Sequence, residues 1–414
     1  MSYVVYLQES VEVKGIVENI DVDEIILSAA ELSRFGSLKS SQVNELASEL
    51  KSVKASHQKV VLEWDILMTQ SRFENALKIL DKIDLELFDA IRVQDPGAYE
   101  YVLEVCDRFS NLRVHLSLET GNHNLEAIKK WIQYGGEKLE KVILSIEIPK
   151  QRLMKILEVL RNEFKERVKF ELLGIGRILL FYSPRKLVSP VASEDIIEET
   201  KEDFNQKALE IIGSSQESPH SGFPIVENRH GTFMFHLKDH CLLDEYDTLR
   251  DAGIDHLRID DRFYRGLEFN LESLLCELSL NRLVELEEKE RDRLLKAYWP
   301  CSLIKGFFRA NKSDVLFKKL KNSRLQNRDE SYIGDVVDVQ KDSHIAFIVK
   351  APSKILEVGQ KLRIYTPDGK EKSLSLDFMK NGMNCEVDKA ATGDIVFLRP
   401  VSGVSIRSMV YLDS

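Results

Sequence analysis

Acidic and basic side chains stand at the ends of several short apolar runs, and these are the residues with which the chain could do chemistry. They are Asp65, Asp95, Glu147, Glu171, Lys238, Asp239, Arg258 and Asp260. Convergent carboxylates shift one another's pKa values and can then serve as general acid and general base. We therefore predict carboxylate chemistry with Glu147, Glu171 and Asp260. For any one of these charges, a solvated loop position is the alternative.

The apolar runs that carry these charges are typical of β-strands alternating with amphipathic helices. Stretches such as SRFENALKILDKI repeat apolar residues at three- and four-residue spacing. Eight such units within residues 1–265 predict a (β/α)8 barrel, in which chemistry collects at the carboxyl ends of the strands. The opening MSYVVYLQESVEVKG also alternates and predicts a first strand. The eight candidate strands after it are EIILS, VVLEWD, AIRVQD, RVHLSL, VILSIE, KFELL, FMFHL and HLRID.

A connection of nearly sixty residues lies between the sixth and seventh of these candidate strands. Ser193 is predicted to cap a helix through SEDIIEETKEDFNQKALEII, and GSSQESPHSG is predicted to be a loop. A connection this long predicts an insert at about 190–222 that serves as a lid, a binding element or a partner surface. Residues 266–330 predict a helical extension, with Asn270 as a cap, followed by a basic linker.

From residue 331 to residue 414 the pattern changes to short alternating runs. They include YIGDVVDVQ, HIAFIVKAP and DIVFLRP, and the tetrapeptide TPDG at 366–369 is typical of a tight turn between two strands. This segment predicts a small all-β barrel domain. The expected fold class is therefore α/β, a TIM-like barrel followed by an all-β domain.

The composition excludes some classes of protein. No apolar run approaches the roughly 18 residues of a membrane helix, and the opening residues lack the pattern of a signal peptide, so we expect a cytoplasmic protein without a membrane partner. A net charge of −10 disfavours binding of nucleic acid by the whole surface. The five cysteines are scattered without a CxxC, which predicts free thiols.

One basic stretch is an exception to the acidic balance. Residues 305–328 hold eight basic residues against one Asp, with three Phe among them. Lysines that contact phosphates and rings that stack on bases would suit RNA. An amphipathic helix with buried Phe residues is the alternative. The RNA-binding candidates are Lys305, Arg309, Lys318, Lys319 and Lys321.

Six segments of the chain together carry a resemblance to a known family. They are VQDPG, VHLSLETGNHN, FELLGIGRILLFYSPRKLVSP, FPIVENRHGTFMFHLKDHCLLDEYDTLRDAGIDHLRIDDR, YIGDVVDVQ and YTPDGKE. Taken together they resemble the collagenase-like U-32 peptidase family, and the last two are similar to the small β domain of its longer members. The family includes peptidases, proteins needed for tRNA and ribosomal RNA hydroxylation, and proteins of oxygen-independent ubiquinone synthesis. The resemblance covers most of the chain.

The resemblance and the strand-end charges together give two sets of candidate site residues. The catalytic candidates are Glu147, Glu171, Asp260, Arg262 and Ser183. A turn that holds the strand exit is the favoured alternative for Ser183. The substrate-binding candidates are Asp65, Asp95, His115, Tyr182, Arg185, His230, Lys238, Asp239 and Arg258.

The chain departs from the family where many members ligate an iron–sulfur cluster. Leu179 and Lys186 stand at the two positions where the family signature has cysteine, and residues 191–222 contain no cysteine. Pro184 replaces a glycine of the signature, and Ile146 replaces the arginine before Glu147. One nearby thiol, Cys241, cannot substitute for the usual ligand set. We therefore predict a degenerate iron–sulfur site.

No other metal site is expected. His236, His240 and Cys241 lie close together in the sequence, but three or four converging ligands are needed for zinc or iron. If FMFHL is a strand, His236 and His240 belong to different elements. We therefore predict no metal and no cofactor, with coincidental clustering of these side chains.

The resemblance implies an accessory or substrate-binding component of RNA hydroxylation or modification. Its partners would be RNA or a related cluster-bearing family protein. Two alternatives stay open: a peptidase that uses carboxylates at the barrel mouth, and a scaffold without activity that pairs with the cluster-bearing relative.

Overall fold

Strands alternate with helices through the first 176 residues. The computed structural model describes residues 1–190, 208–215, 218–264, 271–277, 286, 288–309, 331–340, 343–351, 354–367 and 370–413. The strands here are β1 (Ser2–Leu7), β2 (Val22–Ser28), β3 (Lys59–Trp64), β4 (Ala90–Val93), β5 (Arg113–Ser117), β6 (Leu139–Ile143) and β7 (Lys169–Gly176). The helices are α1 (Val13–Val17), α2 (Ser40–Val53), α3 (Gln70–Leu80), α4 (Pro96–Arg108), α5 (Leu125–Gly135) and α6 (Lys150–Phe164).

Local sequence explains where these helices begin and which face they bury. Asp95 caps α4 by accepting hydrogen bonds from the backbone N–H groups of Gly97 and Ala98, and Pro96 occupies the first turn. Asn124 caps α5 in the same way. On α6 the buried side chains are spaced three and four residues apart, as expected for a helix that packs on a sheet: Leu153, Ile156, Leu157 and Leu160.

An antiparallel sheet, called the insert sheet below, follows β7. Its strands are β8 (Leu179–Ser183), β9 (Leu209–Ser215), β10 (Ser218–Asn228) and β11 (Gly231–Phe235), in the spatial order β8-β11-β10-β9. The predicted helix from Ser193 lies outside the described residues as far as 207, but its predicted end is wrong, because Leu209–Ser215 is a strand. The predicted loop GSSQESPHSG is also wrong for most of its length, since β9 and β10 pair across it.

The barrel closes after this insert. The chain continues through β12 (Asp239–Cys241), α7 (Tyr246–Asp251) and β13 (His256–Ile259). Strand β13 pairs in parallel with both β7 and β1, so eight parallel strands form a closed ring. The (β/α)8 prediction is confirmed, although the seventh predicted strand is wrong: FMFHL belongs to the antiparallel insert, and the opening strand β1 takes its place in the count.

The described remainder of residues 1–310 consists of short elements. They are α8 (Leu271–Glu277), α9 (Glu288–Tyr298) and β14 (Leu303–Ile304), which pairs with β12. Asn270, predicted as a cap, lies outside the described residues. Short 3-10 turns occur at Ser10–Glu12, Leu85–Leu87, Gly136–Lys138, Lys165–Arg167, Leu243–Glu245 and Gly306–Arg309. In the described part of the chain, no helix has the length and apolar character needed to cross a bilayer.

The interior of the barrel contains many ionisable side chains. One small apolar cluster lies inside and is formed by Val4, Tyr6, Ile26, Val61 and Ala90. Other buried side chains of the barrel strands are ionisable: Glu24, Glu63, Arg92, His115, Lys141, Glu171, His256 and Arg258. The large apolar core includes the buried faces of the helices. Charges inside a barrel must be paired with one another.

The chain divides into two compact units, residues 1–310 and residues 311–414. The second unit has strands β15 (Tyr332–Gln340), β16 (His344–Val349), β17 (Leu356–Glu357), β18 (Lys361–Tyr365), β19 (Glu371–Ser375), β20 (Lys380–Asn381), β21 (Lys389–Ala390), β22 (Ile395–Leu398) and β23 (Met409–Leu412). Seven of them form an antiparallel sheet, β19-β18-β23-β15-β16-β22-β20. The predicted all-β C-terminal fold is confirmed, and β18 and β19 form the hairpin expected around TPDG.

Candidate functional site

A cavity of about 260 Å³ opens among the residues that follow the barrel strands and part of the insert sheet. Five arginines line it: Arg34, Arg92, Arg177, Arg258 and Arg262. Five carboxylates line it as well: Glu63, Asp65, Glu119, Glu147 and Asp260. Six aromatic rings complete most of the wall: Tyr6, Phe35, Phe181, Tyr182, Phe235 and Phe263. The cavity lies where the barrel prediction places function.

Arg262 joins two of the carboxylates on one wall. It donates to Glu63 and to Asp260 at 2.8 Å each, and its guanidinium lies 3.7 Å from the centre of the Tyr6 ring. Burial opposes ionisation of Glu63, but Arg262, Arg92 and two serine hydroxyls together lower its pKa to about 2. Glu63 is therefore held as the charged partner of an arginine and is poorly suited to proton transfer.

A second arginine pair fixes another part of the wall. Arg34 donates from both its backbone N–H and its Nε to the two carboxylate oxygens of Asp65, each at 2.8 Å. Both side chains are buried. This bidentate contact binds the segment after β2 to the end of β3 and keeps both charges in the cavity wall.

The floor of the cavity lies on the barrel axis. The fully buried Glu171 accepts hydrogen bonds from Arg92 at 2.8 Å, Arg258 at 3.3 Å and Lys141 at 3.2 Å. Lys141 also donates to Glu24 at 2.5 Å. Glu171 does not line the cavity itself. It was expected at a strand end, and that expectation is wrong, because β7 continues five residues further to Gly176.

Glu119 is a cavity carboxyl whose pKa is raised. It accepts a hydrogen bond from Arg258 at 2.5 Å. Burial raises the pKa of Glu119 to about 7; Arg92 and Arg34 oppose this rise, while the nearby carboxylates Glu171 and Asp260 add to it. A carboxyl that titrates near neutrality can act as a general acid or base. Glu119 is therefore better suited to proton transfer than Glu63, whose pKa is lowered.

Five aromatic rings lie above the charged floor and are called the collar below: Phe35, Tyr182, Phe233, Phe235 and Phe263. The rings of Tyr182 and Phe233 stack with centroids 4.6 Å apart and planes inclined by 5°. Phe263 packs edge-on against Phe35 and Phe235, at 4.8 and 5.0 Å. The collar combines residues of the insert sheet with residues that follow barrel strands. Such rings can stack on a flat ligand.

The structure brings together six of the predicted site residues at the cavity: Asp65, Glu147, Tyr182, Arg258, Asp260 and Arg262. Glu147 also lies 3.6 Å from His123. Glu171 is immediately beneath the floor. The cavity therefore contains four of the charged residues that were predicted at strand ends, Asp65, Glu147, Arg258 and Asp260. It also contains Tyr182, from the segment FELLGIGRILLFYSPRKLVSP.

Other predicted site residues lie outside the cavity and have structural contacts. Asp95 caps α4. His115 is buried between Glu24 and Glu140 inside the barrel. His230 contacts the carbonyl oxygen of Ala30 at 2.7 Å through Nε2. Asp239 is buried and accepts a hydrogen bond from the indole of Trp299 at 2.6 Å.

Three further candidates lie in or beside the insert sheet and are also outside the cavity lining. The Ser183 hydroxyl accepts a hydrogen bond from the backbone N–H of Arg185 at 3.2 Å, which is the turn contact that the alternative proposed. The side chains of Arg185 and Lys238 are exposed. Lys238 and Asp239 were expected at the end of a barrel strand, and this is wrong because they follow β11 of the insert.

The basic stretch is described only at its start. Lys305 forms ion pairs with Asp244 and Glu245 at 2.5 Å each, and exposed Arg309 lies 3.8 Å from Glu245. Lys318, Lys319 and Lys321 lie outside the described residues. The RNA-binding role of the stretch therefore stays a prediction.

Five charged cavity residues were missed by reading the sequence: Arg34, Glu63, Arg92, Glu119 and Arg177. Glu63 and Arg92 stand inside the predicted strands VVLEWD and AIRVQD, and Glu119 directly follows RVHLSL. A charged residue within an otherwise apolar strand must find a buried partner, and this signal identifies Glu63 and Arg92. Arg34 and Arg177 stand in connecting segments without such a signal.

The described residues offer no group of side chains that matches the ligand set of an iron–sulfur cluster, and the absence of a cluster stays a prediction. Leu179 lines the cavity and Lys186 is exposed, at the two positions where the family signature has cysteine. Cys241 is buried in the apolar core. Among the described residues, no three His, Cys, Asp or Glu side chains are grouped so that they could hold a metal ion. The sequence of residues 191–222 supplies no further thiol.

Comparison with known proteins gives a match to one family model, described as peptidase family U32, over residues 16–314. Two curated relatives also match. The tRNA hydroxylation protein P2 of Bacillus subtilis is 25% identical over 158 residues, which cover 36% of this chain and 45% of the relative. The tRNA hydroxylation protein P of Escherichia coli is 24% identical over 212 residues, covering 42% of this chain and 44% of the relative. The matches span less than half the length of either relative.

Among solved structures, the crystal structure of dihydrodipicolinate synthase from Bacillus clausii covers 78% of this chain and 82% of its own. The identity is 11% and the TM-score is 0.37. The barrel assignment depends on the strand pairing described above and not on this resemblance.

Proposed function

The chain belongs to peptidase family U32, and from this premise we propose that it is a substrate-binding component of tRNA hydroxylation without an iron–sulfur cluster of its own. Two relatives named as tRNA hydroxylation proteins support the pathway. The lack of a fitting set of cysteine ligands supports an accessory role. A cluster-bearing family member is the partner that would supply the missing chemistry.

The observation that carries the proposal is the cavity with its aromatic collar and arginine-rich wall. Proteins that act on a nucleic-acid base take it out of its stack and hold it between rings and hydrogen-bonding groups. A volume of about 260 Å³ suits one base with its sugar better than a peptide of several residues. We therefore assign to this cavity one unstacked base of tRNA.

Nucleoside mass spectrometry of tRNA from a deletion strain tests the proposal. We expect deletion to lower one hydroxylated nucleoside and the wild-type gene to restore it. Tyr182→Ala should restore it with about tenfold lower efficiency, because one stacking surface is lost. Tyr134→Ala is the matched control, since Tyr134 is an exposed tyrosine on α5. Unchanged tRNA nucleosides in the deletion strain would refute the proposed function.

A peptidase is the second candidate, and Glu119 is the observation that favours it. Its pKa of about 7 suits activation of a water molecule near neutral pH. Glu119→Gln should then abolish hydrolysis of a peptide library while Glu126→Gln, an exposed substitution on α5, leaves it unchanged. The absence of hydrolysis by the wild-type protein across the library would remove this candidate.

A further inference from the structure

Three arginine nitrogens at the cavity are buried and have no hydrogen-bond partner among the described residues. They are Nη2 of Arg92, Nε of Arg258 and Nη1 of Arg177. Arg92 is 1% exposed and Arg258 is 4% exposed, although both line the cavity. Arg34 and Arg262 line the same cavity and have no such buried, unpartnered nitrogen. Unpartnered donors are thus confined to three of the five arginines.

These donors matter because a buried donor without an acceptor destabilises the fold. The cost is about 1–3 kcal/mol for each donor and is larger for a charged group. A structure therefore keeps such donors where a ligand or ordered water accepts from them. Three of them around one cavity indicate an acceptor that can receive several hydrogen bonds at once.

Two of the arginines converge at one point. Arg92 on β4 and Arg258 on β13 reach across the barrel from opposite sides, with three strands between them in either direction. Both donate to the same oxygen of Glu171, at 2.8 and 3.3 Å. Their guanidinium groups therefore meet at the barrel axis and form the floor.

Arg177 extends this positive surface up the wall. It follows β7, and its guanidinium lies 4.4 Å from the centre of the Phe263 ring and 5.6 Å from that of Phe235. The Arg177 side chain also hydrogen-bonds Tyr264, but its Nη1 has no partner among the described residues. Stacking on rings orients a guanidinium without consuming its donors. Arg177 thus keeps a donor for a ligand beneath the collar.

The charges on the axis are unequal when Glu119 is protonated. Lys141, Arg92 and Arg258 are three cations, and they share the carboxylates of Glu171 and Glu24. Glu119 is the only further carboxylate, among the described residues, within ion-pair distance of any of these three cations. Protonation of Glu119 leaves three positive charges against two negative ones, so the floor can accept one more negative charge.

We infer that the floor of the cavity binds one oxyanion, a carboxylate or phosphate group, through Arg92, Arg258 and Arg177. The planar fork of arginine matches the oxygens of both groups. The inference deepens the proposed function and rests on it for the role of the cavity. The oxyanion belongs either to a small carboxylic acid that enters with the base or to the phosphate of the nucleotide itself.

Calorimetric titration of the purified full-length protein with matched pairs of ligands tests the inference. Benzoate and benzamide have nearly the same shape but differ in charge. Uridine monophosphate differs from uridine by one phosphate group. We expect the charged member of at least one pair to bind about tenfold or more tightly than its neutral partner. Preference for benzoate identifies a carboxylic acid, and preference for the monophosphate identifies the nucleotide.

Substitutions then locate the site. Arg177→Gln and Arg258→Lys should each reduce the preference for the charged ligand about tenfold, whereas Arg185→Gln, an exposed arginine outside the cavity, should not. Arg177→Gln leaves the ion pairs of the floor intact. Its effect on ligand binding can therefore be measured even if changes to Arg92 or Arg258 prevent folding. The inference is wrong if charged and neutral ligands bind equally well to the wild-type protein. It is also wrong if the arginine substitutions weaken the binding of both members of a pair equally. If tRNA hydroxylation is lost on deletion and no charged ligand is preferred, only the oxyanion site fails.

Discussion

At the scale of single residues, the acidity of Glu119 is coupled to the stability of the fold. Its pKa is about 7 in the folded protein, above the ordinary value of 4.5. The folded state therefore holds this proton more tightly than the unfolded state. The stability from this group is fully present below about pH 4.5 and is lost as the pH rises through 7.

Glu119→Gln should remove this dependence. We expect the free energy of unfolding of the variant, relative to wild type, to rise between about pH 5 and pH 9 by on the order of 2 kcal/mol. Urea unfolding at the two pH values measures it. Glu147→Gln is the control in the same cavity, because the Glu147 side chain is 44% exposed. A difference between Glu119→Gln and wild type that does not change with pH would contradict the prediction.

Asp95 shows how a residue predicted to bind substrate can be tested as a helix cap. Asp95→Ala should cost about 1 kcal/mol of stability, because Gly97 and Ala98 lose their acceptor. Asp95→Asn should recover most of it, since asparagine also caps helices. Thermal unfolding measures both. Complementation of tRNA hydroxylation should be equal for the two variants. A loss in Asp95→Asn at normal stability would restore the binding role.

At the scale of elements, Glu227 holds the end of the insert sheet in place. Its carboxylate on β10 accepts from the backbone N–H groups of Leu187, Val188 and Ser189, at 2.7, 2.8 and 3.0 Å. Burial opposes ionisation of Glu227, but the hydrogen bonds from Ser189, Val188 and Thr232 lower its pKa to about 2. The stability it contributes is thus present above the ordinary value of 4.5 and is lost as the pH falls through 2.

Glu227→Gln should release the segment at 187–189. An amide has one acceptor oxygen in place of two and adds donors that face donors, so the local cost is about 2 kcal/mol. Hydrogen exchange of the three amides should accelerate, while exchange in the barrel strands is unchanged. Glu210→Gln, an exposed position on β9, should have no effect. Unaltered exchange at 187–189 would show that the carboxylate does not hold this segment.

Sequence patterns predicted elements well where the cause is local. The apolar spacing of SRFENALKILDKI reflects contacts within one helix, and α3 forms there with Ala76 and Leu80 buried. The run FMFHL was misassigned for the opposite reason. Alternation shows that a strand has a buried face, but it does not show which sheet the strand joins. The pairing of β11 with β8 and β10 is determined by tertiary contacts and not by the local sequence.

The same limit applies to the candidate site. Barrel topology places the ends of β3, β6 and β13 together, so Asp65, Glu147 and Asp260 could be predicted to meet. The spacing of the sequence could not show that Glu171 points to the axis beneath the cavity. It also could not show that Arg34 and Arg177, both in connecting segments, line its wall.

At the scale of the whole molecule, the barrel depends on its central carboxylate. Glu171→Gln leaves Arg92, Arg258 and Lys141 without the negative charge that joins them. Breaking a buried ion pair in this way costs about 3–5 kcal/mol, so we expect a large loss of stability in chemical unfolding. Glu147→Gln, at a half-exposed cavity position, should have little effect. Full stability of Glu171→Gln with a loss of function would point to a catalytic role instead.

The cavity is formed by two parts of the chain, the barrel strands and the four-stranded insert sheet. The ion pairs of the floor come from strands that also close the barrel, so changes to them also affect the stability of the fold. Tyr182 and Phe235 of the collar come from the insert, whose sheet is separate from the barrel sheet. Selection can therefore alter what the cavity accepts by remodelling the insert alone. Exchange of the segment between β7 and β12 among relatives is accordingly the most direct way to engineer a new specificity.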